Sequence, residues 1–223
     1  KNGIPTIFED GLENMLKNNL ENKNIQFTCN LSEALKEAEL IMVCVNTPEN
    51  QETGEADLTA LKSAANSIAE NIDINKKYAL VIKSTVPVGT NKMIKKILNE
   101  RYPNFKFNII SNPEFSRQGS AINDFLKPDR IIVGVENEES REIMEKLYNP
   151  ITKEGYQIFL SSIETAELIK YASNAFLATK IAFINEVADI CEKTGADIDE
   201  ISKAMGMDKR ISPYFLKAGP GIG

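Results

Sequence analysis

Residues 40–48 read LIMVCVNTP, an apolar run that passes directly into a polar phrase ending in proline. The same pattern recurs at residues 78–87, YALVIKSTVP, and at residues 107–115, FNIISNPEF. Short apolar runs separated by helical patterns are typical of parallel strands that are covered on both faces. We therefore expect strands over residues 40–45, 78–83 and 107–111.

Each of these strands is followed at once by polar residues. The three phrases are VNTP at 45–48, STVP at 84–87 and NPEF at 112–115. Any one of them also fits an ordinary loop, since Asn, Ser, Thr and Pro are common turn residues. Ligands of open parallel sheets bind outside the carboxyl ends of the strands, so three such phrases together predict one binding site.

Strand and helix patterns alternate from residue 25 to residue 160, which predicts an α/β fold with a doubly wound, Rossmann-like parallel sheet. Further strands are expected over residues 25–28, 130–135 and 157–160. Helices are expected over residues 32–38, 57–71 and 138–148, and one more after Gly89. Ser32 and Asp57 are the expected N-caps of the first two helices.

A long helical pattern occupies residues 162–193. Its middle, residues 175–188, is apolar around most of its circumference. A helix of this kind must be buried on every side, so we expect it to pack between two domains or two subunits, and we expect a homodimer built around it. Gly195 ends the pattern, and a shorter helix is expected over residues 197–205.

The composition excludes several classes of function. The chain of 223 residues has a formal net charge of -6 and a pI near 5.0, and no basic run suggests a nucleic-acid or membrane-surface partner. No apolar run reaches the roughly 18 residues of a membrane span, and the first residues do not form a signal peptide. We expect a cytoplasmic protein that binds small molecules.

The chain contains no histidine, which excludes Ser/His/Asp triads and imidazole bases. Cys29, Cys44 and Cys191 lack metal-ligand or disulfide spacing, so we expect structural cysteines and no metal site. Cys44 is expected to be buried in its strand. Any proton transfer must therefore use carboxylate, lysine, tyrosine or water.

Several long motifs resemble the UDP-glucose/GDP-mannose dehydrogenase family. They are STVPVGT at 84–90, NPEF at 112–115 and ELIKYASNAF at 167–176, with the segment 119–134 and DKRI at 208–211 resembling its UDP-glucose branch. The resemblance covers essentially the whole chain. It implies an NAD-binding domain over residues 1–160, followed by the long helix and an all-α central dimerisation domain over residues 161–223.

The family pattern also has parts outside this sequence. Its GxGxxG phosphate loop and ribose-binding acidic residue would precede Lys1, and its nucleophilic cysteine segment would follow Gly223, before a third domain. We therefore expect the central piece of a longer enzyme, inactive by itself. The reaction that the resemblance implies is a double oxidation of UDP-glucose to UDP-glucuronate with two NAD reduced, through a cysteine-bound thioester.

The resemblance assigns catalytic roles to four residues. Lys170 and Asn174, one helical turn apart, would stabilise negative charge on a substrate oxygen, although such pairs are also common on solvated helix faces. Glu114 would be the base for water attack, with Thr85 orienting the water. That role requires burial to raise the pKa of Glu114, whereas an isolated glutamate is more often a loop carboxylate in water.

The resemblance also implies binding residues. The expected NAD contacts are Val45, Asn46, Thr47, Pro48, Ser84, Thr85 and Gln118. The expected substrate contacts are Glu114, Phe115, Ser116, Arg117, Gln118, Lys170, Asn174, Arg210, Phe215, Lys217, Gly219, Gly221 and Gly223. Arg210 would cross a dimer interface toward the partner's substrate. Two positions depart from the family, with Gln118 in place of a second glutamate and Ser116 in place of a common leucine.

Two alternatives stay open at this point. The sugar could be GDP-mannose or an N-acetylated UDP-hexosamine, although the NPEF phrase favours UDP-glucose. The chain could also be a noncatalytic module for nucleotide binding and dimerisation, a reading that Gln118 and the missing loops favour.

Overall fold

A computed structural model describes residues 3–105 and 107–220, and in these residues five strands form one sheet in the order β1-β2-β3-β4-β5. The strands are β1 (Leu40–Val43), β2 (Ala79–Ile82), β3 (Asn108–Ser111), β4 (Ile131–Gly134) and β5 (Ile158–Ser161). The helices are α1 (Leu12–Glu21), α2 (Leu31–Leu35), α3 (Thr59–Asn71), α4 (Thr90–Arg101), α5 (Ala121–Leu126), α6 (Glu138–Thr152), α7 (Ile163–Thr194) and α8 (Ile198–Gly206). The predicted α/β class is confirmed, and α1 and α5 are additions that the sequence patterns did not predict.

The strand predicted over residues 25–28 is wrong. Ile25 and Phe27 are exposed, and Thr28 instead donates a side-chain hydrogen bond to Glu33 in the first turn of α2. A strand requires a neighbour for its backbone N–H and C=O groups. Among the described residues, β1 pairs only with β2, so this segment has no such neighbour.

The sheet is mostly parallel rather than wholly parallel, which corrects the prediction. β1, β2 and β3 run parallel, as do β4 and β5, but β3 meets β4 antiparallel through Ser111 and Gly134. The connection between β3 and β4 contains only α5, whose six residues include no buried side chain. α5 therefore does not cover a sheet face as a crossover helix would.

Buried side chains lie on both faces of the sheet, as a doubly wound fold requires. On one face, residues of α3 and α4 pack against β2 and β3; the fully buried members include Leu61, Leu80, Ile82, Ile94, Leu98 and Ile109. On the other face, Val81, Ile110 and Val133 pack against Met144 and Tyr148 of α6. β1 is less buried because it lies at the sheet edge, and Cys44, just after it, is exposed rather than buried as predicted.

The helix caps differ in detail from the prediction. Asn30, not Ser32, is the N-cap of α2, and its side chain accepts a hydrogen bond from the Glu33 N–H. Asp57 lies one residue before the Leu58 cap position of α3, and its Oδ1 accepts from the Thr59 N–H at 2.8 Å. In both places a side-chain oxygen, of the Asn30 amide or the Asp57 carboxylate, accepts from a backbone donor near the helix start.

α7 confirms the predicted long helix. Its beginning lies so close to β4 that a Cβ on Gly134 would stand 2.7 Å from the Cα of Ile163, so only glycine fits there. The chain divides into two compact units, Lys1–Lys170 and Tyr171–Gly223. The domain boundary after residue 160 stays a prediction. No helix in the described parts of the chain has both the length and the apolar character needed to cross a bilayer.

Candidate functional site

Hydrogen bonds join the three polar phrases at the carboxyl ends of β1, β2 and β3. The Ser84 hydroxyl donates to the Val45 carbonyl at 2.6 Å, and the Thr47 hydroxyl donates to the Thr85 carbonyl at 2.7 Å. At the next strand end, the Asn112 N–H donates to the Ile82 carbonyl at 3.0 Å. The phrases therefore lie along one edge, and the two hydroxyls fasten the first two of them to each other.

Glu114 is held at this edge by contacts to both carboxylate oxygens. Its Oε1 accepts from the Phe115 N–H at 2.8 Å, from the Ser116 N–H at 3.0 Å and from the Ser116 hydroxyl at 2.6 Å. Its Oε2 lies 2.8 Å from Nζ of Lys83, the last residue before the STVP phrase. The carboxylate is thus fixed in one orientation.

The pKa of Glu114 is not raised, although the role of a base was expected to require this. Burial raises the pKa of Glu114, but the charge of Lys83 and hydrogen bonds from Lys83, Ser116 and Phe115 together bring it below its ordinary value. An opposite charge at this distance favours the ionised form. Glu114 is therefore a carboxylate at neutral pH, with less affinity for a proton than an unpaired buried glutamate would have.

Two cations lie over the ring of Phe115. The Nζ of Lys170, on α7, is 4.7 Å from the ring centroid, and the guanidinium carbon of Arg130 is 4.3 Å from it. The pKa of Lys170 is lowered by burial, while Glu114 acts in the opposite direction and Arg130 and Lys83 lower it further. The structure thus brings Lys170 and the NPEF phrase together around Phe115.

The loop after Glu114 is anchored at two points. The Arg117 backbone N–H, Nε and Nη2 all donate to the Asp124 carboxylate, which accepts from Ser120 as well. The carboxylate of Glu9, far earlier in the chain, accepts from the Gly119 and Ala121 N–H groups. Gln118 lies between these anchors and is exposed.

The remaining predicted residues lie in the second unit. Asn174 and Arg210 are exposed there, and the Arg210 guanidinium pairs with Asp208 at 2.6 Å. Phe215, Lys217 and Gly219 follow in a loop after α8. Gly221 and Gly223 lie outside the described residues.

Two side chains of α7 bind the backbone of residues 211–219, the loop that follows α8. The Nζ of Lys180 donates to the carbonyls of Ile211 at 2.9 Å and Tyr214 at 2.5 Å. Asn185 exchanges two hydrogen bonds of 2.9 Å with the backbone of Gly219. The loop that carries the predicted diphosphate contacts is therefore held by residues that sequence reasoning did not select.

Sequence reasoning missed the partners that hold the predicted residues in place, namely Lys83, Asn112, Glu9, Lys180 and Asn185. Lys83 offered a signal, because a lysine directly after a fully buried strand needs a partner for its charge. Glu9 and Asn185 offered none, since their contacts join segments more than 30 residues apart.

The ends of β1 and β2 could hold part of a dinucleotide. Asn46 and Pro48 are exposed there, next to the buried Ser84 and the half-buried Thr85. The edge is parallel and open, which is the setting in which α/β sheets bind nucleotides. The residues present fit the second half of such a site, whereas the pyrophosphate loop of the GxGxxG type is not in this sequence.

The chain is similar along nearly its whole length to known dehydrogenases. A UDP-glucose 6-dehydrogenase of Rickettsia bellii is 48% identical over 220 residues, which are 99% of this chain and 50% of that protein. The structure of a UDP-glucose dehydrogenase from Pyrobaculum islandicum has a TM-score of 0.92 at 37% identity, covering 99% of this chain and 51% of that one. A GDP-mannose dehydrogenase from Pseudomonas aeruginosa has a TM-score of 0.88 at 26% identity, over 97% and 50% of the two chains.

The chain spans about half the length of the relatives it matches. Residues 1–152 match the family model described as the NAD-binding domain of the UDP-glucose/GDP-mannose dehydrogenases, and residues 164–223 match the model of their central domain. These two matches follow the same order as the α/β sheet and the helices after it. The chain thus belongs to the UDP-glucose/GDP-mannose dehydrogenase family.

Proposed function

We propose that the protein is an NAD-dependent UDP-glucose 6-dehydrogenase, which oxidises the C6 alcohol of UDP-glucose in two stages to the carboxylate of UDP-glucuronate. The observation that carries the proposal is the convergence of Glu114 and Lys170 on Phe115 at the carboxyl end of the sheet. Relatives of that name that are 48% and 42% identical to this chain support it. Because the chain spans half of those relatives, the proposal concerns the product of the complete reading frame.

NAD, when bound, accepts hydride from the substrate carbon. We assign its contacts to the strand-end residues Val45, Asn46, Thr47, Pro48, Ser84 and Thr85, with Gln118 on the loop after β3. The match of residues 1–152 to an NAD-binding domain supports this assignment. The fastening of the two loops by the Ser84 and Thr47 hydroxyls supports a preformed surface for the cofactor.

Lys170 and Asn174 serve as fixed donors to the substrate oxygen on which negative charge develops. Such donors act best where water is excluded; Lys170 is half-buried over Phe115, whereas Asn174 is exposed in the described chain. Glu114 is ionised and accepts the proton of an attacking water that Thr85 orients, and its lowered pKa makes it a weaker base than a buried glutamate without an ion pair. The nucleophile of this reaction is assigned to a cysteine outside the 223 residues.

We assign substrate contacts within each unit separately. Glu114, Phe115, Ser116, Arg117 and Gln118 of the first unit contact the sugar, together with Lys170. In the second unit, the diphosphate contacts are Lys217 and Gly219, with Gly221 and Gly223 beyond the described residues. Phe215 is a further substrate contact, and Arg210 is assigned to the partner subunit's substrate across the proposed dimer interface. Glycines allow backbone N–H groups to approach phosphate oxygens, and the lysine supplies charge.

The stoichiometry of the reaction tests the proposal. The complete protein is incubated with limiting UDP-glucose and excess NAD, and NADH is measured by absorbance. We expect two NADH per UDP-glucose, together with UDP-glucuronate as the product. One NADH per substrate, or none, contradicts a double oxidation.

A panel of nucleotide sugars tests the substrate. The structural likeness to a GDP-mannose dehydrogenase makes GDP-mannose the natural competitor. We expect the highest kcat/KM for UDP-glucose among UDP-glucose, GDP-mannose and UDP-N-acetylhexosamines. Preferential turnover of either of the others assigns the protein to another branch of the same family.

We further propose that the protein is a homodimer through residues 162–193 and that it acts in the cytoplasm. Exposed apolar side chains along α7, among them Phe176 and Phe183, support the dimer. A cytoplasmic location accords with a substrate and a cofactor that are both soluble nucleotides, and subcellular fractionation of the source cells tests it.

A further inference from the structure

Lys83 is a nearly buried cation that none of the roles above uses. Only 11% of its side chain is exposed, and it follows directly on β2, whose four residues are all buried. Its Nζ lies 2.8 Å from Oε2 of Glu114 and 3.3 Å from Oδ1 of Asn112. A buried ammonium is tolerated only when such partners replace its water, so Lys83 and Glu114 depend on each other.

Asn112 is itself held so that its oxygen faces Lys83. The residue is 1% exposed, its Nδ2 donates to the Ile132 carbonyl at 2.7 Å, and its Oδ1 accepts from the Tyr148 hydroxyl at 2.5 Å. The Lys83 ammonium also lies 5.8 Å from the ring centroid of Phe125. Groups from β4, α5 and α6 therefore determine where the ammonium stands.

We propose that Lys83 is the positioning residue of the site, which holds the Glu114 carboxylate ionised and in a single orientation. The inference rests on the proposed function, because it assigns the group that prepares the base of that reaction. Lys83 itself contacts neither substrate nor cofactor in this role. It acts through Oε2 of Glu114, while Phe115 and Ser116 hold Oε1.

The charges around Glu114 agree with this role. Charged and titratable groups that interact with this edge are Lys83 after β2, Cys44 after β1, Arg130 just before β4, Tyr148 on α6 and Lys170 on α7. Burial raises the pKa of Glu114, and Lys83 is the largest influence that lowers it. Without the ammonium, the hydrogen bonds from Ser116 and Phe115 would remain but the largest opposing influence would be lost, so Glu114 would bind a proton at higher pH.

The test replaces Lys83 with methionine in the complete protein, which keeps the length of the side chain and removes its charge. The first readout is the ¹³C chemical shift of the Glu114 carboxyl carbon during a pH titration, assigned with Glu114→Gln. We expect the midpoint to rise by about one pH unit or more. The acidic limb of the kcat profile should move in the same direction, and Lys83→Arg should restore both.

Lys77→Met is the matched control. Lys77 lies just before the same strand, at its opposite end, and its Nζ pairs with Oε1 of Glu139 at the same distance of 2.8 Å. Its replacement removes an ion pair without touching the site, so the Glu114 midpoint should stay where it is. If Lys83→Met does not fold, Lys83→Gln, which retains a hydrogen-bond donor, takes its place in the titration.

An unchanged Glu114 midpoint in the folded Lys83 variant overturns the inference, as does an equal shift in Lys77→Met. The outcome is separable from the test of the proposed function. A raised midpoint in a protein that never reduces NAD supports the Lys83 assignment and counts against the dehydrogenase.

Discussion

At the scale of single residues, the site depends on how charge is paired around Phe115. One carboxylate, Glu114, lies among the cations of Lys83 and Lys170, and Arg130 covers the same ring. Each cation has a different environment, since Lys83 is nearly buried and ion-paired while Lys170 contacts the ring and has no ion pair within 4.0 Å among the described residues. The proposal assigns the donor to an incoming oxygen to Lys170, whose ammonium is not neutralised by such a pair.

Replacement of Lys170 with alanine in the complete protein should lower turnover by ~10²-fold or more, as loss of a donor to a developing oxyanion typically does. Steady-state NADH production measures the effect. Lys92→Ala is the control, because Lys92 is an exposed lysine on α4 that pairs with Glu164 at 2.5 Å. Wild-type turnover in Lys170→Ala would remove Lys170 from the catalytic role.

At the scale of elements, one buried carboxylate connects α7 to the beginning of α4. Glu167 is 1% exposed and accepts from the Gly89 N–H at 2.7 Å, the Asn91 N–H at 2.8 Å and the Asn91 Nδ2 at 2.7 Å. The first N–H groups of a helix lack partners within the helix, and α4 has no side-chain cap of its own. Glu167 supplies that cap and positions the turn of α7 that carries Lys170.

Glu167→Ala should lower the free energy of unfolding by about 3 kcal/mol, because it leaves buried N–H donors without an acceptor. Chemical denaturation followed by circular dichroism measures it. Glu164→Ala, on the same helix but at a partly exposed ion pair with Lys92, should change stability little. Equal losses in the two variants would contradict a capping role for Glu167.

Most strands and helices were predictable because they depend on residues that are neighbours in the sequence. The apolar runs of β1, β2 and β3 and the helical patterns of α3 and α7 are properties of neighbouring residues, so the sequence shows them directly. The wrong strand at residues 25–28, Ile-Gln-Phe-Thr, carried a short strand-like alternation of apolar and polar residues. It failed because strand formation also requires a partner, which no local pattern reveals.

At the scale of the whole molecule, α7 presents apolar side chains that the described chain does not cover. Phe176, Phe183 and Ile190 are 66%, 52% and 58% exposed. The sequence predicted burial of this helix on every side, and in the isolated chain that burial is incomplete. A second copy of the chain would supply the missing cover, which is the basis of the proposed homodimer.

The paired substitution of Phe176 and Phe183 by glutamate should convert a dimer into a monomer, because it places charge in the proposed interface. Light scattering coupled to size-exclusion chromatography measures the mass. Phe8→Glu is the control, since Phe8 is 88% exposed and lies outside α7. A dimer that persists in the α7 variant would place the subunit contact elsewhere.

In the candidate site, as in the fold, the features that depend on neighbouring residues were predictable and the contacts between distant segments were not. The polar phrases after the strands were visible as patterns, and their adjacency followed from the rule for parallel sheets. The anchors of the site join distant segments, as Glu9 joins Gly119 and Lys180 joins Ile211. No spacing rule predicts such pairs, because the fold alone brings them into contact.

The sequence by itself determined most of the order of strands and helices, the family and the residue types at the strand ends, because each of these depends on neighbouring residues or on long motifs. Only the tertiary structure decided that β4 runs antiparallel to β3 and that Glu114 meets Lys83. The ionisation of Glu114 was decided there too. Strand direction and pKa both depend on groups that are far apart in the chain and adjacent only after folding.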